Sequence, residues 1–337
     1  MKTSELIRQL FIAFNKDDRD DFIKIAREYI EREKRKNHNI LAKQLEEALF
    51  FNFPNTGSEK ERRYKRNIPI PRDNEKGFPL LEIKEFQYSW DHLKLPENTL
   101  RLLKQIVHEF SESDILASYN LKNKNKILLC GKPGTGKTFS AQVISSVLNI
   151  PLVMVRFDAI VSSYLGETAA NLKKVFDFIE SGVWIVLFDE VDMIGKNRDD
   201  HFEHGEIKRV VNNFLQMLDN FEGESIIFAA TNHQHILDPA IWRRFDEIIY
   251  FDLPDEQLRK EILEFYLKPI KKKNFNLDII AKKTKGLSPS DLKMIAHESM
   301  KIALLAKRNV VTTQDLTDAM YKILNREEIK RKNFKGE

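Results

Sequence analysis

The sequence predicts an α/β fold: a parallel sheet flanked by helices, with a small helical bundle before it and a helical lid after it. Three observations predict this. Five short runs, Ile127–Cys130, Leu152–Phe157, Trp184–Phe188, Ile226–Ala230 and Ile248–Phe251, are apolar but for Arg156, as strands buried on both faces must be. Helical periodicity fills the stretches between them. From Asp255 to about Leu324 the pattern is helical, with no strand candidate.

The elements follow in order. Leu6, Leu10, Phe11 and Phe14 recur at helical spacing, and Asn15, Asp17 and Asp18 read as a break and a new first turn. Phe22, Ala26, Tyr29 and Ile30 form a second stripe, and Leu41, Leu45, Ala48 and Leu49 a third, which makes residues 1–51 a three-helix bundle. Pro54, Gly57, Pro69, Pro71, Gly77 and Pro79 punctuate residues 52–82, a linker carrying a basic run from Lys60 to Arg66. The α/β domain spans 83–254, the lid 255–324, and 325–337 is a charged tail.

Composition narrows the class. A charged fraction of 31% with 55 bases against 51 acids describes a heavily solvated surface with a mild positive balance, which neither requires nor excludes nucleic acid. The single cysteine, Cys130, rules out an internal disulfide and reads as a small buried hydrophobe at a strand end. The longest clean apolar run near the middle, Trp184–Phe188, is far short of the ~20 residues of a membrane helix. Glu5, Arg8 and Gln9 interrupt the first apolar stretch, so no signal peptide is read and the expected location is cytoplasmic, with no membrane partner.

The chemistry concentrates between the strands. Gly131-Lys-Pro133-Gly134-Thr135-Gly136-Lys137-Thr138 follows a strand and opens a helix, Phe139–Leu148. That is the context a phosphate-binding loop requires, since the glycines turn backbone N–H groups inward and the helix N-terminus adds positive potential. Lys137 is expected to reach the β- and γ-phosphates of ATP, and Thr138 to hold Mg²⁺. The strand Trp184–Phe188 ends in Asp189 and Glu190: Asp189 is a second Mg²⁺ ligand and Glu190 the group that polarises the attacking water. A third strand ends in Thr231-Asn232, placing Asn232 beside the γ-phosphate. The pairs His201/His204 and His233/His235 lack the cysteine or carboxylate company of a zinc site.

This order of motifs, completed by Leu237-Asp-Pro-Ala-Ile-Trp-Arg243-Arg244-Phe-Asp246, resembles the AAA ATPase family over roughly residues 85–320. The resemblance implies strand order 5-1-4-3-2, a helical lid and a ring, usually of six copies, with ATP between neighbours. It implies that Asn232 senses the γ-phosphate and that Arg243 and Arg244 reach into the neighbour's site. The two arginines are adjacent here, where the family often has two residues between them, and the reading favours Arg244. Ser163-Tyr164-Leu165-Gly-Glu167 matches the loop that projects into the ring's pore, where Tyr164 and Leu165 would grip a polypeptide, and His204-Gly205-Glu206 stands where a second pore loop would be. In the lid, Gly286-Leu-Ser-Pro289-Ser290-Asp-Leu292 resembles Gly-x-Ser-Gly-Ala-Asp, with Pro289 and Ser290 replacing Gly-Ala. No arginine stands at the second sensor position, which favours protein remodellers over clamp loaders.

The leading functional expectation is a ring-forming remodeller acting on a protein client. Its layout is similar to that of the microtubule-severing and endosomal-sorting members. Ile30-Glu-Arg-Glu-Lys and Asn37-His-Asn-Ile-Leu-Ala are similar to bacterial AAA proteins encoded beside subtilisin-like serine proteases, which implies such a protease as partner. The alternatives are a nucleic-acid-dependent loader using Lys60–Arg66, and an ATP-timed assembly switch that threads nothing.

Overall fold

The computed structural model describes residues 6, 8–12, 24–26, 28–32, 69–74, 77–161, 167–194, 204–233, 239–272 and 276–333. The chain separates into two compact units, 1–62 and 63–337. In the first, Leu6 and Ile25 are buried against each other with Leu10 and Tyr29 packed beside them, joining the first two apolar stripes. Phe11 faces outward instead of joining them. The third stripe, Leu41 to Leu49, and the basic run Lys60 to Arg66 lie outside the described residues.

The second unit is built on a six-stranded sheet: β1 (Leu81–Lys84), β2 (Lys126–Gly131), β3 (Leu152–Val155), β4 (Ile185–Phe188), β5 (Ile226–Thr231) and β6 (Glu247–Phe251). Their order is β1-β3-β4-β5-β2-β6. The five expected strands thus stand in the order 5-1-4-3-2 and pair in parallel. The sixth, β1, straddles the expected boundary between linker and α/β domain at residues 82 and 83. It adds to β3 antiparallel, with Leu81 opposite Val155 and Lys84 opposite Leu152. Residues 69–74 and 77–80 before it form an arm, in which Arg72 bridges Pro79 and Asp73 Oδ1 accepts from Asn171 Nδ2 at 2.9 Å. Leu80 and Leu81 are wholly buried, which fixes the arm to the sheet edge.

The helices of this unit are α1 (Glu97–Ser111), α2 (Ser113–Ser118), α3 (Lys137–Leu148), α4 (Phe157–Val161), α5 (Thr168–Glu180), α6 (His204–Asn220) and α7 (Pro239–Trp242). Alternate residues of each strand feed opposite cores. Leu128, Cys130, Val186, Phe188, Ile227 and Ala229 meet α5 and α6 on one face, whereas Ile127, Leu129, Ile185, Leu187, Phe228 and Ala230 meet α1 and α3 on the other. Period two within unbroken apolar runs is therefore why both faces are dry, at roughly 1.5–3 kcal/mol for each large side chain fully buried.

The lid comprises α8 (Glu256–Tyr266), α9 (Leu277–Lys283), α10 (Pro289–Leu305) and α11 (Thr313–Asn333) around its own apolar core. Two differences from the sequence reading stand out. Lys271–Lys272 and Val310–Val311 pair as β7 and β8 in parallel, strands too short to leave a periodic signal. The charged tail continues α11 as far as Asn333.

Candidate active site

The loop between β2 and α3 follows from its glycines. A Cβ on Gly131 would lie 2.5 Å from the Phe251 carbonyl oxygen, so the close approach of β2 to β6 requires glycine there. Gly134 sits at φ +76°, and a Cβ on it would meet the lid's Ser288 Oγ at 2.7 Å. Gly136, at φ 110°, is the N-cap of α3. Thr135 is buried and donates to the Lys132 carbonyl at 2.8 Å, closing the loop, while Pro133 stays exposed at its crest.

Lys137 is only 6% exposed, and its Nζ donates to the carbonyls of Gly131 at 2.7 Å and Lys132 at 2.9 Å. Burial pushes its pKa below the usual lysine range, and the nearby Asp189 carboxylate pulls it part of the way back. Thr138 Oγ1 donates to Asp189 Oδ2 at 2.6 Å, so the helix start and the end of β4 converge on one point. The next residue, Glu190, is exposed and holds a left-handed backbone at φ 54°, anchored by its own N–H on Asp189 Oδ1 at 3.0 Å. That conformation costs a non-glycine residue about 1–2 kcal/mol.

Asp192 is a residue whose place the sequence reading missed. It is 1% exposed, and its Oδ1 accepts from Thr231 Oγ1 at 3.1 Å and from the Asn232 N–H at 3.3 Å. It thereby ties the exits of β4 and β5 together and fixes the backbone of Asn232. Sequence offers little signal for this, because the partners lie 39 and 40 residues apart. Arg243 and Arg244 follow α7. Arg243 is exposed, and Arg244 Nε pairs with Asp219 Oδ2 of α6 at 3.1 Å. Buried Phe245 and the Asp246 carboxylate, which accepts the N–H groups of Asn125 at 3.0 Å and Lys126 at 2.9 Å, clamp this turn to the sheet. Tyr164 and Leu165 lie outside the described residues. Gly166 and Glu167 separate them from α5, whose first turns bury Thr168, Asn171 and Leu172. His204-Gly205-Glu206 opens α6 as helix.

Comparison with known proteins decides what this geometry belongs to. Residues 127–253 match the ATPase family associated with various cellular activities (AAA), and 274–318 match the AAA+ lid domain. An uncharacterized AAA family ATPase, y4kL of Sinorhizobium fredii, is 32% identical over 320 residues, 95% of each chain. The chain belongs to the AAA family of ATPases. Proteasome-activating nucleotidases are also similar. That of Pyrococcus abyssi is 33% identical over 258 residues, 74% of this chain and 65% of its own length. That of Saccharolobus islandicus is 34% identical over 249 residues, 71% of this chain and 62% of its own. This AAA ATPase therefore spans less than two thirds of those nucleotidases.

The residues present fit the magnesium nucleotide that the family implies. Thr138 Oγ1 and Asp189 are hard oxygen donors set 2.6 Å apart. Mg²⁺, which keeps waters and phosphate oxygens in its shell, needs only one or two protein ligands. Among the described residues no cluster of three or more His, Cys, Asp or Glu could hold another metal. Likewise among them, no helix is long and apolar enough to cross a membrane.

The lid of the AAA ATPase closes over the loop. The Ser290 N–H donates to the Gly134 carbonyl at 3.2 Å. Ser288 and Asp291 cap α10 reciprocally, with Pro289 at its first position, so the Pro-Ser substitution still starts a regular helix. A seam of rings runs from α3 into the lid: Phe139 to Tyr88 at 5.0 Å, Tyr88 to His92 at 5.6 Å and His92 to Phe265 at 5.8 Å. Tyr266 lies next to Phe265 at 5.2 Å. Its pKa is raised by burial first and by the nearby Tyr88 second. The sequence signal for this seam was the aromatic density of 86–90 and 265–266, visible only once the lid folds back. A cavity of about 440 Å³ is lined by Lys132, Tyr250, Asp252 and Asp255 among others. It shares Lys132 with the loop, but its lining includes neither Lys137, Thr138 nor Asp189.

Proposed function

We propose that this AAA ATPase is a ring-forming motor, of six copies as the family implies, that couples ATP hydrolysis to pulling on a protein client. The observation that carries the reading is its similarity to proteasome-activating nucleotidases across the ATPase module and lid. The pore-loop sequence Tyr164-Leu165 leading into α5 supports it.

In this mechanism the magnesium nucleotide supplies the phosphoryl group, and the chain's own residues do the rest. Lys137 exchanges its two carbonyl partners for phosphate oxygens. Thr138 and Asp189 would hold the cation. Tyr88, His92 and Phe265 offer an aromatic wall for the base. Glu190 accepts the proton of the attacking water, which Asn232, fixed through Asp192, orients. Asp192 itself is too buried to serve as that base. Glu190→Gln should bind ATP and hydrolyse it at least ~10²-fold more slowly, the scale for losing a general base. Single-turnover phosphate release measures this, and near-normal turnover would transfer the role elsewhere.

The proteolytic step, if one follows, belongs to a separate partner. The sequence holds neither a Ser-His-Asp order nor a His-Glu-x-x-His motif, and the segments Ile30–Lys34 and Asn37–Ala42 support a subtilisin-like protease in that role. Threading is tested with Tyr164→Ala and casein as an unfolded polypeptide. Basal ATPase activity should stay within about twofold, while stimulation by casein disappears. Full stimulation in the variant would exclude threading through this loop and favour an assembly switch. Stimulation by single-stranded DNA instead, steeply lost with salt, would favour the loader reading.

A further inference from the structure

Helix α3 carries three serines, Ser140, Ser145 and Ser146, whose hydroxyls go to different places. Ser140 Oγ donates to the Gly136 carbonyl at 2.9 Å, one turn back, and Ser145 Oγ donates to the Ile150 carbonyl at 2.6 Å, just past the helix end. Such local bonds are what a helical serine ordinarily makes. Ser146 instead reaches a segment 58 to 60 residues earlier in the chain. Its Oγ accepts the Tyr88 N–H at 2.6 Å and donates to the Phe86 carbonyl at 2.9 Å. Residues 86–88 lie between β1 and the one-turn helix Trp90–His92, outside any strand or helix, so their backbone groups must find partners elsewhere.

The rings of this segment form the near half of the aromatic seam. Phe86 stacks on Tyr88 at 5.8 Å, and Tyr88 meets Phe139 of α3 edge-on at 5.0 Å. One helix therefore serves both ends of the nucleotide. Lys137 and Thr138 open α3 at the phosphates. Ser146, eight residues beyond Thr138 and so roughly 12 Å further along the axis, grips the segment that carries the base wall.

We propose that Ser146 is a positioning residue for the adenine base: its hydroxyl fixes residues 86–88 to α3 and so sets the spacing between the aromatic wall and the phosphate loop. The proposal rests on the reading of Tyr88, His92 and Phe265 as that wall. Ser146 acts through the backbone of its partners, without touching nucleotide. An aromatic ring stacks on any base, so the placement of the wall decides whether base and phosphates are held at once. Without the bridge the segment samples other positions, and apparent affinity falls with the fraction of molecules in which the wall is formed.

Calorimetric titration of the full chain with ATP and with inorganic tripolyphosphate, which keeps the phosphates and lacks the base, tests this. Ser146→Ala should weaken ATP about tenfold, as for a wall formed in a tenth of the molecules, and leave tripolyphosphate within about twofold. Its KM for ATP should rise by a similar factor, with kcat within about twofold of the unaltered chain. Ser146→Thr keeps the hydroxyl and should bind ATP like the unaltered chain. Should Ser146→Ala melt early, Ser146→Cys, with only a weak donor and acceptor, takes its place. Unchanged ATP affinity in the folded variant, an equal loss of both ligands, or no recovery in Ser146→Thr overturns the role of Ser146. Tyr88→Ala and Phe265→Ala separate that failure from failure of the wall. If they weaken ATP, the wall stands whatever Ser146 does. If both bind ATP like the unaltered chain, the wall falls and the role of Ser146 with it.

Discussion

Lys137→Ala should lose measurable ATP binding. The ammonium is buried and makes two short bonds to loop carbonyls, 2.7 and 2.9 Å, that hold it at the mouth of the loop without nucleotide. Phosphate oxygens are stronger partners than carbonyls, because a hydrogen bond to a charged group contributes about 1.5–3 kcal/mol. Two such bonds lost correspond to roughly 10²–10⁴ in affinity. The alanine also leaves the Gly131 and Lys132 carbonyls to water, a local effect that should not unfold a sheet whose core lies elsewhere. Calorimetric titration with ATP measures the loss, and thermal melting without nucleotide shows that the fold persists. Unchanged affinity would mean that the loop does not hold the phosphates.

Arg244→Ala should bind ATP normally and lose nearly all hydrolysis. Lys137, Thr138, Asp189, Glu190 and Asn232 gather at the strand ends of one copy. A cation delivered from a neighbour to the far side of the γ-phosphate adds roughly 10³–10⁵ in rate in well-studied NTPases. In the isolated copy Arg244 pairs with Asp219, and both side chains are substantially solvated, 34% and 45% exposed. An ion pair in that setting contributes only about 0.2–1 kcal/mol, weak enough to be exchanged for a phosphate. Asp246 and Phe245 hold the turn while the side chain changes partner. Arg243, adjacent and exposed, is the control, since a larger loss in Arg243→Ala would assign the contact to that residue instead. Mixing Arg244→Ala with Lys137→Ala should restore part of the activity, because some junctions then pair an intact loop with an intact arginine.

Much of the site was legible in the sequence because its parts are local. A loop of glycines between an apolar strand and a helix, or acids at a strand end, needs no tertiary information, and unbroken apolar runs announce a sheet covered on both faces. What escaped depends on partners far along the chain. β1 reads Leu-Glu-Ile-Lys, an alternation set among prolines, and becomes a strand only because β3 offers an open edge. Asp192 looks like one more acid after Asp189 and Glu190 until β5 brings Thr231 and Asn232 to it. Ser290 meets Gly134 across more than 150 residues, and the ring seam from Phe139 to Tyr266 forms only when the lid is in place. The tail is charged along its length, so nothing in its pattern separates a solvated helix from a frayed end.

Whether the catalytic site is shared between copies is tested most directly by the ATPase rate per subunit, measured over a wide range of protein concentration alongside sedimentation. A lone copy has the loop, Asp189 and Glu190 but no arginine from a neighbour. The rate per subunit should therefore fall toward zero as the assembly dissociates, so that total activity rises more than linearly with concentration. A rate per subunit that stays flat down to concentrations at which only monomers sediment would contradict the shared site, and the working ring with it.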